Sequence, residues 1–152
     1  MLYLLMQIDG ARYALDIAQV AEVLPLVTLQ TVPRAPPGVA GILDYGGTPV
    51  PVIDMSFVLA NRQAHRRFNT RIVMIHYTAG GRTQLLGLVA ERATETMRRD
   101  QSDFVDPGVR ATSPPDVWPV ALDAAGPVYR VDVAHLLPES LAESLFPVAE
   151  SA

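Results

Sequence analysis

Two aspartates at matched positions are the residues of this chain best placed to do chemistry. Asp54 and Asp132 each follow an apolar run, and a pair of carboxylates can serve as general acid and general base. An aspartate directly after a strand can instead cap the helical turn that follows. Because the position occurs twice in a repeated segment, we predict the capping role for both. A hydrolase or isomerase that uses Asp44 and Asp54 is the minor alternative.

Histidine, cysteine and glycine chemistry has little support in the sequence. His65, His76 and His135 are scattered without a second ligand at metal-site spacing, and His76 stands in an apolar run where burial is expected. The absence of cysteine excludes disulfides, thiolate catalysis and cysteine-ligated metals. Gly46-Gly47 lacks the lysine and helix of a phosphate-binding loop and predicts a hairpin turn. The sequence therefore predicts no catalytic residue, no metal site and no cofactor.

The charge pattern excludes several classes of partner. The net charge is −4 and no more than two arginines are adjacent, whereas a nucleic-acid-binding surface normally shows a basic stripe. No apolar run reaches the roughly 18 residues of a membrane span. The N-terminus has neither the basic region nor the cleavage site of a signal peptide. We therefore predict a cytoplasmic protein that binds no nucleic acid and does not insert into the membrane.

The elements that position these residues occur twice in the chain. Residues 46–59 align without gaps on residues 124–137, and in both copies small turn residues lead into Pro-Val, then an aspartate and a closing leucine. An earlier pair, residues 14–24 and 87–97, repeats at similar spacing. Internal repetition at a fixed period decides the fold. Here it predicts two related halves with a groove between them.

Short strands and frequent turns favour barrels over a parallel sheet. About nine or ten strands and two or three short helices are expected. Asp9-Gly10 predicts a hairpin. Asp16 is a candidate N-cap, so a helix of about two turns is expected up to Leu24, and Pro25 ends it.

Later segments add a rim strand, a linker, a long loop and a final helix. Pro49 and Pro51 predict an edge or barrel-rim strand with unpaired amides. Residues 61–70 are polar and are the candidate linker between the repeats, and residues 98–115 predict a long exposed loop. After Pro138, an apolar stripe predicts a C-terminal helix: Leu137, Leu141 and Leu145.

Eight motifs, taken in order, carry a family resemblance. The first half contains Tyr13-Ala14-Leu15-Asp16-Ile17, Val20-x-Glu22-Val23-Leu24, Pro33-Arg34-Ala35-Pro36, Val39-Ala40-Gly41-Ile42-Leu43 and Val50-Pro51-Val52-Ile53-Asp54. The second half adds Thr70-Arg71-Ile72-Val73, Leu86-Gly87-Leu88-Val89 and the run from Val131-Asp132 to Leu137. Together they resemble the CheW-like family, the coupling domains of bacterial chemotaxis-type signalling. The short chain with its leucine-rich opening is also similar to the variants in Wsp-type surface-sensing arrays.

The resemblance implies the fold. It implies a mainly β protein of two SH3-like β-barrel subdomains related by the internal duplication, with short helices and a C-terminal helix. Residues 1–152 would form a single CheW-like domain. Subdomain one would span about residues 12–68 and subdomain two about residues 70–133, with the N-terminal strand and the C-terminal helix packing across them.

The resemblance also implies the function. It implies a non-enzymatic scaffold, or adaptor, that couples the cytoplasmic tips of chemoreceptors to a chemotaxis-type histidine kinase in two-component signal transduction. The partners would be the regulatory domain of the kinase, which has the same fold, and the helical hairpin tip of the receptor. The protein would be cytoplasmic and recruited to membrane receptor arrays. The residues implied to line the receptor groove are Val20, Glu22, Val39, Gly41, Leu43, Tyr45 and Gly46.

One position departs from the family pattern. The family's hairpin usually reads Asn-Leu-Arg-Gly, but residues 44–47 read Asp-Tyr-Gly-Gly, so Gly46 replaces the arginine that would lie close to Glu22. Three alternatives are open: Arg34 supplies the charge, Glu22 is solvated, or the protein contacts its receptor differently. The departure also motivates an alternative function, a CheW-like interaction module with different partners.

Overall fold

The computed structural model describes residues 1–79, 81–108 and 118–145, apart from the side chains of residues 79, 139 and 140. Within them the chain forms ten strands: β1 (Leu2–Ile8), β2 (Ala11–Asp16), β3 (Val20–Pro25), β4 (Val39–Tyr45), β5 (Thr48–Asp54), β6 (Arg71–Ala79), β7 (Arg82–Ala90), β8 (Glu95–Arg98), β9 (Val120–Asp123) and β10 (Gly126–Arg130). The helical elements there are α1 (Met55–Ala60), α2 (Glu139–Ser144) and 3₁₀ turns at Ile17–Gln19, Gln101–Asp103 and Val133–His135. The predicted loop 98–115 lies partly outside the described residues.

The strands form two five-stranded sheets with the same internal order. Sheet I runs β8-β1-β2-β10-β9, and sheet II runs β3-β6-β7-β5-β4. In each sheet an antiparallel hairpin has a single antiparallel strand on one side. On its other side it pairs in parallel with a second hairpin. This equivalence confirms the internal duplication and the mainly β fold of two subdomains.

Each sheet combines strands from both repeats. The first repeat supplies the β1–β2 hairpin to sheet I but β3, β4 and β5 to sheet II, and the second repeat does the reverse with β6–β7 and β8 to β10. The two repeats have therefore exchanged hairpins. The subdomain boundaries at about 12–68 and 70–133 stay a prediction.

Both predicted two-residue hairpin turns are confirmed. Asp9 and Gly10 connect β1 to β2 with φ of 51° and 80°, and Gly46 and Gly47 connect β4 to β5 with φ of 59° and 90°. Two successive positive φ values give the turn whose twist matches that of the flanking strands. Asp44 secures the second turn, because its carboxylate accepts a hydrogen bond from the Gly47 amide at 2.8 Å.

Each half closes through one pair of reciprocal backbone hydrogen bonds. In sheet II, Gln30 and Ile42 exchange N–H···O bonds of 2.9 and 2.8 Å, and in sheet I, Val105 and Val120 exchange bonds of 3.0 and 2.8 Å. Gly41 makes the first closure possible. It has φ of +149°, and a Cβ at this position would lie only 2.6 Å from the Gln30 carbonyl oxygen.

Three apolar clusters stabilise this arrangement. A central core combines buried side chains of both sheets, and each sheet also encloses a smaller cluster. In β6, Val73 and Ile75 belong to the central core, while Ile72 and Met74 belong to the sheet II cluster, because successive strand side chains point to opposite faces. The buried residues of the sheet I cluster are Tyr3, Ala14, Phe104, Ala121 and Val128.

The predicted helix after Asp16 is wrong. Asp16 does act as an N-cap, since its carboxylate accepts from the Ala18 amide at 2.9 Å, but the turn ends at Gln19. The chain continues as strand β3, which pairs antiparallel with β6. Val20 and Val23 favour a strand because their branched side chains fit a pleated surface, and tertiary pairing outweighs the local capping pattern.

Two further expectations are corrected by the strand arrangement. His76 is exposed rather than buried, although its neighbours Ile75 and Tyr77 on β6 are both buried. Strand β5, which carries Pro49 and Pro51, lies inside sheet II rather than at its edge. Its parallel pairing with β7 begins only at Val52, so both prolines lie where β5 pairs with β4 alone.

The C-terminal helix follows Pro138 as predicted. Leu137, Leu141 and Leu145 are at most 8% exposed and belong to the central core. The apolar stripe therefore anchors α2 to both sheets. No helix in the described part of the chain is long and apolar enough to span a membrane.

Candidate partner-binding site

The predicted groove residues come from the two outer strands of sheet II and the turn beside them. Val20 and Glu22 lie on β3, which is one edge of the sheet, and the other predicted positions lie on β4 and its turn, at the opposite edge. Barrel closure brings the two edges together. The β4 side contributes Val39, Gly41, Leu43, Tyr45 and Gly46.

A hydrogen bond between Tyr45 and Glu22 joins the two edges. The Tyr45 hydroxyl donates to Glu22 Oε2 at 2.9 Å. The hydrogen bond from the hydroxyl to Glu22 is the main reason that the pKa of Tyr45 is raised, with burial and the negative charge of Glu22 adding to it. In the part of the chain that the structure describes, no ion pair joins Glu22 to Arg34. The partner of Glu22 is thus Tyr45 and not Arg34.

Sequence reasoning missed this contact, although Tyr45 was among the predicted groove residues. The signal was the tyrosine directly before the replaced arginine, on the strand expected to face Glu22. A phenol can hold a carboxylate without bringing a positive charge. The surface around Glu22 is therefore less positive than the family pattern implies.

Gly46 leaves the turn open to solvent. A Cβ at this position would meet no heavy atom within 4 Å, although φ is +59°. A side chain at Gly46 would have space, and its cost would be backbone strain rather than a clash. The position can therefore be tested by restoring the arginine.

Gly41 and Leu43 are occupied by the chain's own packing. Gly41 lies against the backbone of Gln30, so its glycine is required for barrel closure. Leu43 is 7% exposed and belongs to the sheet II cluster. Val20 and Val39 are half-buried beside the central core and keep part of their surface open. These two valines are the apolar side chains of the set best able to meet a partner.

An open cleft adjoins Val39. It has a volume of about 420 Å³ and lies between the proline-containing loop after β3, helix α1 and the segment after α1. Most of the residues that line it are apolar in type, and Asp54 and Arg66 are the charged residues among them.

Asp54 and Asp132 are both caps, as predicted. The Asp54 carboxylate accepts from the Ser56 amide at 2.9 Å and from the Ala64 amide at 2.8 Å. Burial raises the pKa of Asp54 against the opposing effect of these hydrogen bonds. Asp132 accepts from the Ala134 amide at 3.1 Å. Both oxygens of Asp54 are thus bound to backbone amides, while Asp132 binds one amide and the His135 ring.

A network around Arg62 fixes the segment between α1 and β6. The Arg62 guanidinium contacts Glu91 at 2.8 Å and Asp9 at 2.7 Å. The paired guanidinium holds the pKa of Glu91 down at about 2. The predicted linker 61–70 is thereby tied to the β1–β2 turn and to the end of β7. Among the described residues, no group of histidine and carboxylate side chains could hold a metal ion.

The sequence places this chain in a known class of signalling scaffolds. It belongs to the CheW-like domain family, which matches residues 2–140. This family consists of non-enzymatic scaffold proteins of chemotaxis signalling, so the chain is a scaffold domain and not an enzyme.

A solved structure shows the same fold. The crystal structure of the scaffolding protein TtCheW from Thermoanaerobacter tengcongensis is 20% identical in sequence, with a TM-score of 0.76, over 92% of this chain and 89% of that one. The likeness concerns the arrangement of the two β subdomains. A search of curated protein sequences finds no match.

Proposed function

We propose that this protein couples the cytoplasmic tips of chemoreceptors to a chemotaxis-type histidine kinase, in the cytoplasm at membrane receptor arrays. Membership of the CheW-like family is the observation that carries the proposal. Two surfaces are needed, one for each partner. Simultaneous weak binding at both surfaces would produce firm assembly through effective concentration.

We propose that the receptor binds where the outer strands of sheet II, β3 and β4, come together. Val20 and Val39 offer partly open apolar area, and Glu22 and Tyr45 form a polar contact beside it. A helical hairpin that lies in a groove uses apolar anchors with polar contacts at the rim. We propose that the receptor tip contacts these four residues and the open turn at Gly46.

The kinase surface of the proposal lies on sheet I. Val105 and Leu122 are 59% and 70% exposed, and both lie at the β9 edge of that sheet. Exposed apolar side chains at a sheet edge suit docking of another β domain. We propose that the regulatory domain of the kinase, which has the same fold, docks here.

Two variants, each expected to weaken the binding of one partner only, test the two surfaces. Purified protein is titrated by calorimetry with the kinase regulatory domain and, separately, with a receptor cytoplasmic fragment. Val20→Asp is expected to weaken receptor binding and leave kinase binding intact, and Leu122→Asp is expected to do the opposite. Arg82→Ala, an exposed substitution on β7, is the control. Absence of kinase binding at high micromolar concentration would refute the coupling role.

Restoring the arginine tests the departure at residue 46. If Glu22 faces the receptor, Gly46→Arg is expected to strengthen receptor binding, because the position has open space and lies beside the Tyr45–Glu22 pair. Gly46→Ala separates the effect of the side chain from that of backbone strain. Unchanged receptor affinity in Gly46→Arg would show that Glu22 has another role.

The alternative function is a CheW-like interaction module with different partners. The observation that favours it is that Glu22 is bound by the uncharged Tyr45 hydroxyl, with Gly46 in place of the arginine. Affinity capture from the native cell separates the two. Recovery of receptors and kinase supports coupling, and recovery of neither supports the alternative.

A further inference from the structure

The loop at residues 65–68 presents an unusual surface. It reads His-Arg-Arg-Phe, and all four residues are exposed. Phe68 is 89% exposed, more than any other large apolar residue in the described part of the chain. A phenylalanine held almost entirely in water has a hydration cost that burial against a partner would remove.

The loop is held in place by hydrogen bonds to buried and half-buried side chains. The Ala64 amide donates to Asp54 at 2.8 Å, and the His65 amide donates to Glu91 at 2.5 Å. The hydroxyl of the buried Thr70 donates to the His65 carbonyl at 2.6 Å. A surface that is already ordered loses little conformational entropy on binding. The exposed side chains are thus presented from a fixed backbone.

The charge of this surface is opposite to that of the chain as a whole. A depression of about 310 Å³ beside the loop is lined by three arginines, Arg62, Arg67 and Arg92. Its carboxylates, Asp9 and Glu91, are both paired with Arg62. Across the described residues, no ion pair involves Arg67 or Arg92. The surface is therefore locally positive, while the net charge of the chain is −4.

We propose that residues 65–68 and this depression form a docking site for an acidic segment of a partner protein that carries one large apolar side chain. Arg66, Arg67 and Arg92 would bind its carboxylates, since the planar guanidinium matches a carboxylate in two-point geometry. Phe68 would pack against its apolar side chain. The negative charge of the remaining surface would steer acidic partners towards this site alone.

An acidic peptide fits the site better than a membrane. Stable membrane attachment generally needs two signals, and the loop offers one apolar side chain on a chain of net charge −4. A peptide needs only the loop and the depression. The site lies outside the seven groove residues and so goes beyond the coupling role. Arg66 also lines the cleft next to Val39, so the test must separate the two sites.

A binding assay with the full chain tests the proposal. The probe is a short fluorescent peptide rich in Glu and Asp with one central leucine, measured by anisotropy at low and high salt. The double variant Arg66→Ala, Arg67→Ala is expected to weaken binding about tenfold, and Phe68→Ala about fivefold. Arg67→Ala alone, at a residue that lines the depression but not the cleft next to Val39, is expected to keep most of the loss, and no loss in this variant would assign the binding to the cleft. Arg82→Ala removes another exposed arginine, at the turn of the β6–β7 hairpin, and is expected to leave peptide binding unchanged.

Several results would overturn the docking site. No binding of the probe, or an equal loss in Arg82→Ala, would do so. Binding of phosphatidylglycerol vesicles but not the peptide, lost in the same loop variants, would assign the surface to a membrane instead. Unchanged unfolding midpoints show that the variants remain folded. Val20→Asp is expected to leave peptide binding intact, so failure here is distinct from failure of receptor coupling.

Discussion

The two equivalent hairpin ends of this molecule are secured in different ways. In sheet I, Arg12 binds Asp123 through two hydrogen bonds of 3.0 and 2.6 Å and donates a third, of 2.7 Å, to the Gly126 carbonyl. In sheet II, the hairpin end is joined across the barrel closure to β3 by the exposed hydrogen bond from Tyr45 to Glu22. The same architecture thus has a firmly clamped end and an open one, and the candidate receptor site lies at the open end.

The two aspartate N-caps, Asp54 and Asp132, also differ, but here the residue beside sheet II is the more firmly bound one. Asp54, in sheet II, is half-buried and binds two amides, one of them ten residues away. Asp132, in sheet I, is exposed and binds one amide together with the His135 ring at 2.7 Å. The two copies of the repeat therefore keep the aspartate as an N-cap, but the two caps are expected to contribute differently to stability. Sheet II is anchored at its helix and left open at its hairpin.

The largest expected loss of stability comes from replacing a glycine that lies against another backbone segment, compared with one that has open space around it. Gly41→Ala should lower the free energy of unfolding by about 3 kcal/mol, because it combines backbone strain with a clash against the Gln30 carbonyl. Gly126→Ala has a positive φ but open space around Cβ, so about 1 kcal/mol is expected. Urea unfolding measures both. Equal losses would mean that the closure at Gln30 does not require glycine.

The second comparison concerns the caps. Asp54→Ala should cost about 2 kcal/mol, because it removes the acceptor of the Ser56 and Ala64 amides at a half-buried position. Asp132→Ala should cost about 0.5 kcal/mol, since water can replace an exposed cap. Thermal and urea unfolding of both variants check the ranking. A larger loss for Asp132→Ala would show that burial does not decide the weight of the cap.

The third comparison concerns the hairpin clamps. Arg12→Ala should lower the unfolding midpoint measurably, because it removes a two-point ion pair and the hydrogen bond to Gly126. Tyr45→Phe removes only the exposed bond to Glu22 and should change the midpoint little. The reverse ranking would contradict the distinction between the clamped and the open end.

The smallest expected effect is the pH dependence of the stability that the Arg12–Asp123 ion pair contributes. The hydrogen bonds from Arg12 hold the pKa of Asp123 below its usual value. Because the folded pKa lies below the unfolded one, the stabilisation is complete above about pH 4 and is lost as the pH falls through the lowered pKa. The stability difference between the wild type and Arg12→Ala should therefore narrow below about pH 4. A difference that stays constant down to pH values where Asp123 is protonated would exclude the ion pair as its cause.

Local signals predicted the parts of this fold that depend on neighbouring residues. The turns at Asp9-Gly10 and Gly46-Gly47 follow from the need for positive φ, and the caps follow from aspartates placed directly after strands. The repeat predicted the equivalence of the two sheets. Each of these features is decided within a few residues along the chain or by comparing one copy with the other.

Long-range contacts escaped prediction because nothing in a single segment specifies them. Arg12 and Asp123 are 111 positions apart, and the bond from Tyr45 to Glu22 depends on how sheet II closes. The helix predicted after Asp16 failed for the same reason, since pairing with β6 decided the conformation of β3. Of the seven candidate site residues, Gly41 and Leu43 proved to be committed to closure and packing, which requires knowledge of the opposing strand.

The exchange of hairpins between the repeats has a consequence for how the chain reaches its native state. The β1–β2 hairpin is synthesised well before its neighbours in sheet I, β8 and β10, which lie in the second repeat. Contacts of such high sequence separation slow folding. Neither sheet can be completed until the second repeat has emerged, so an N-terminal half released early would present unpaired strand edges and tend to aggregate.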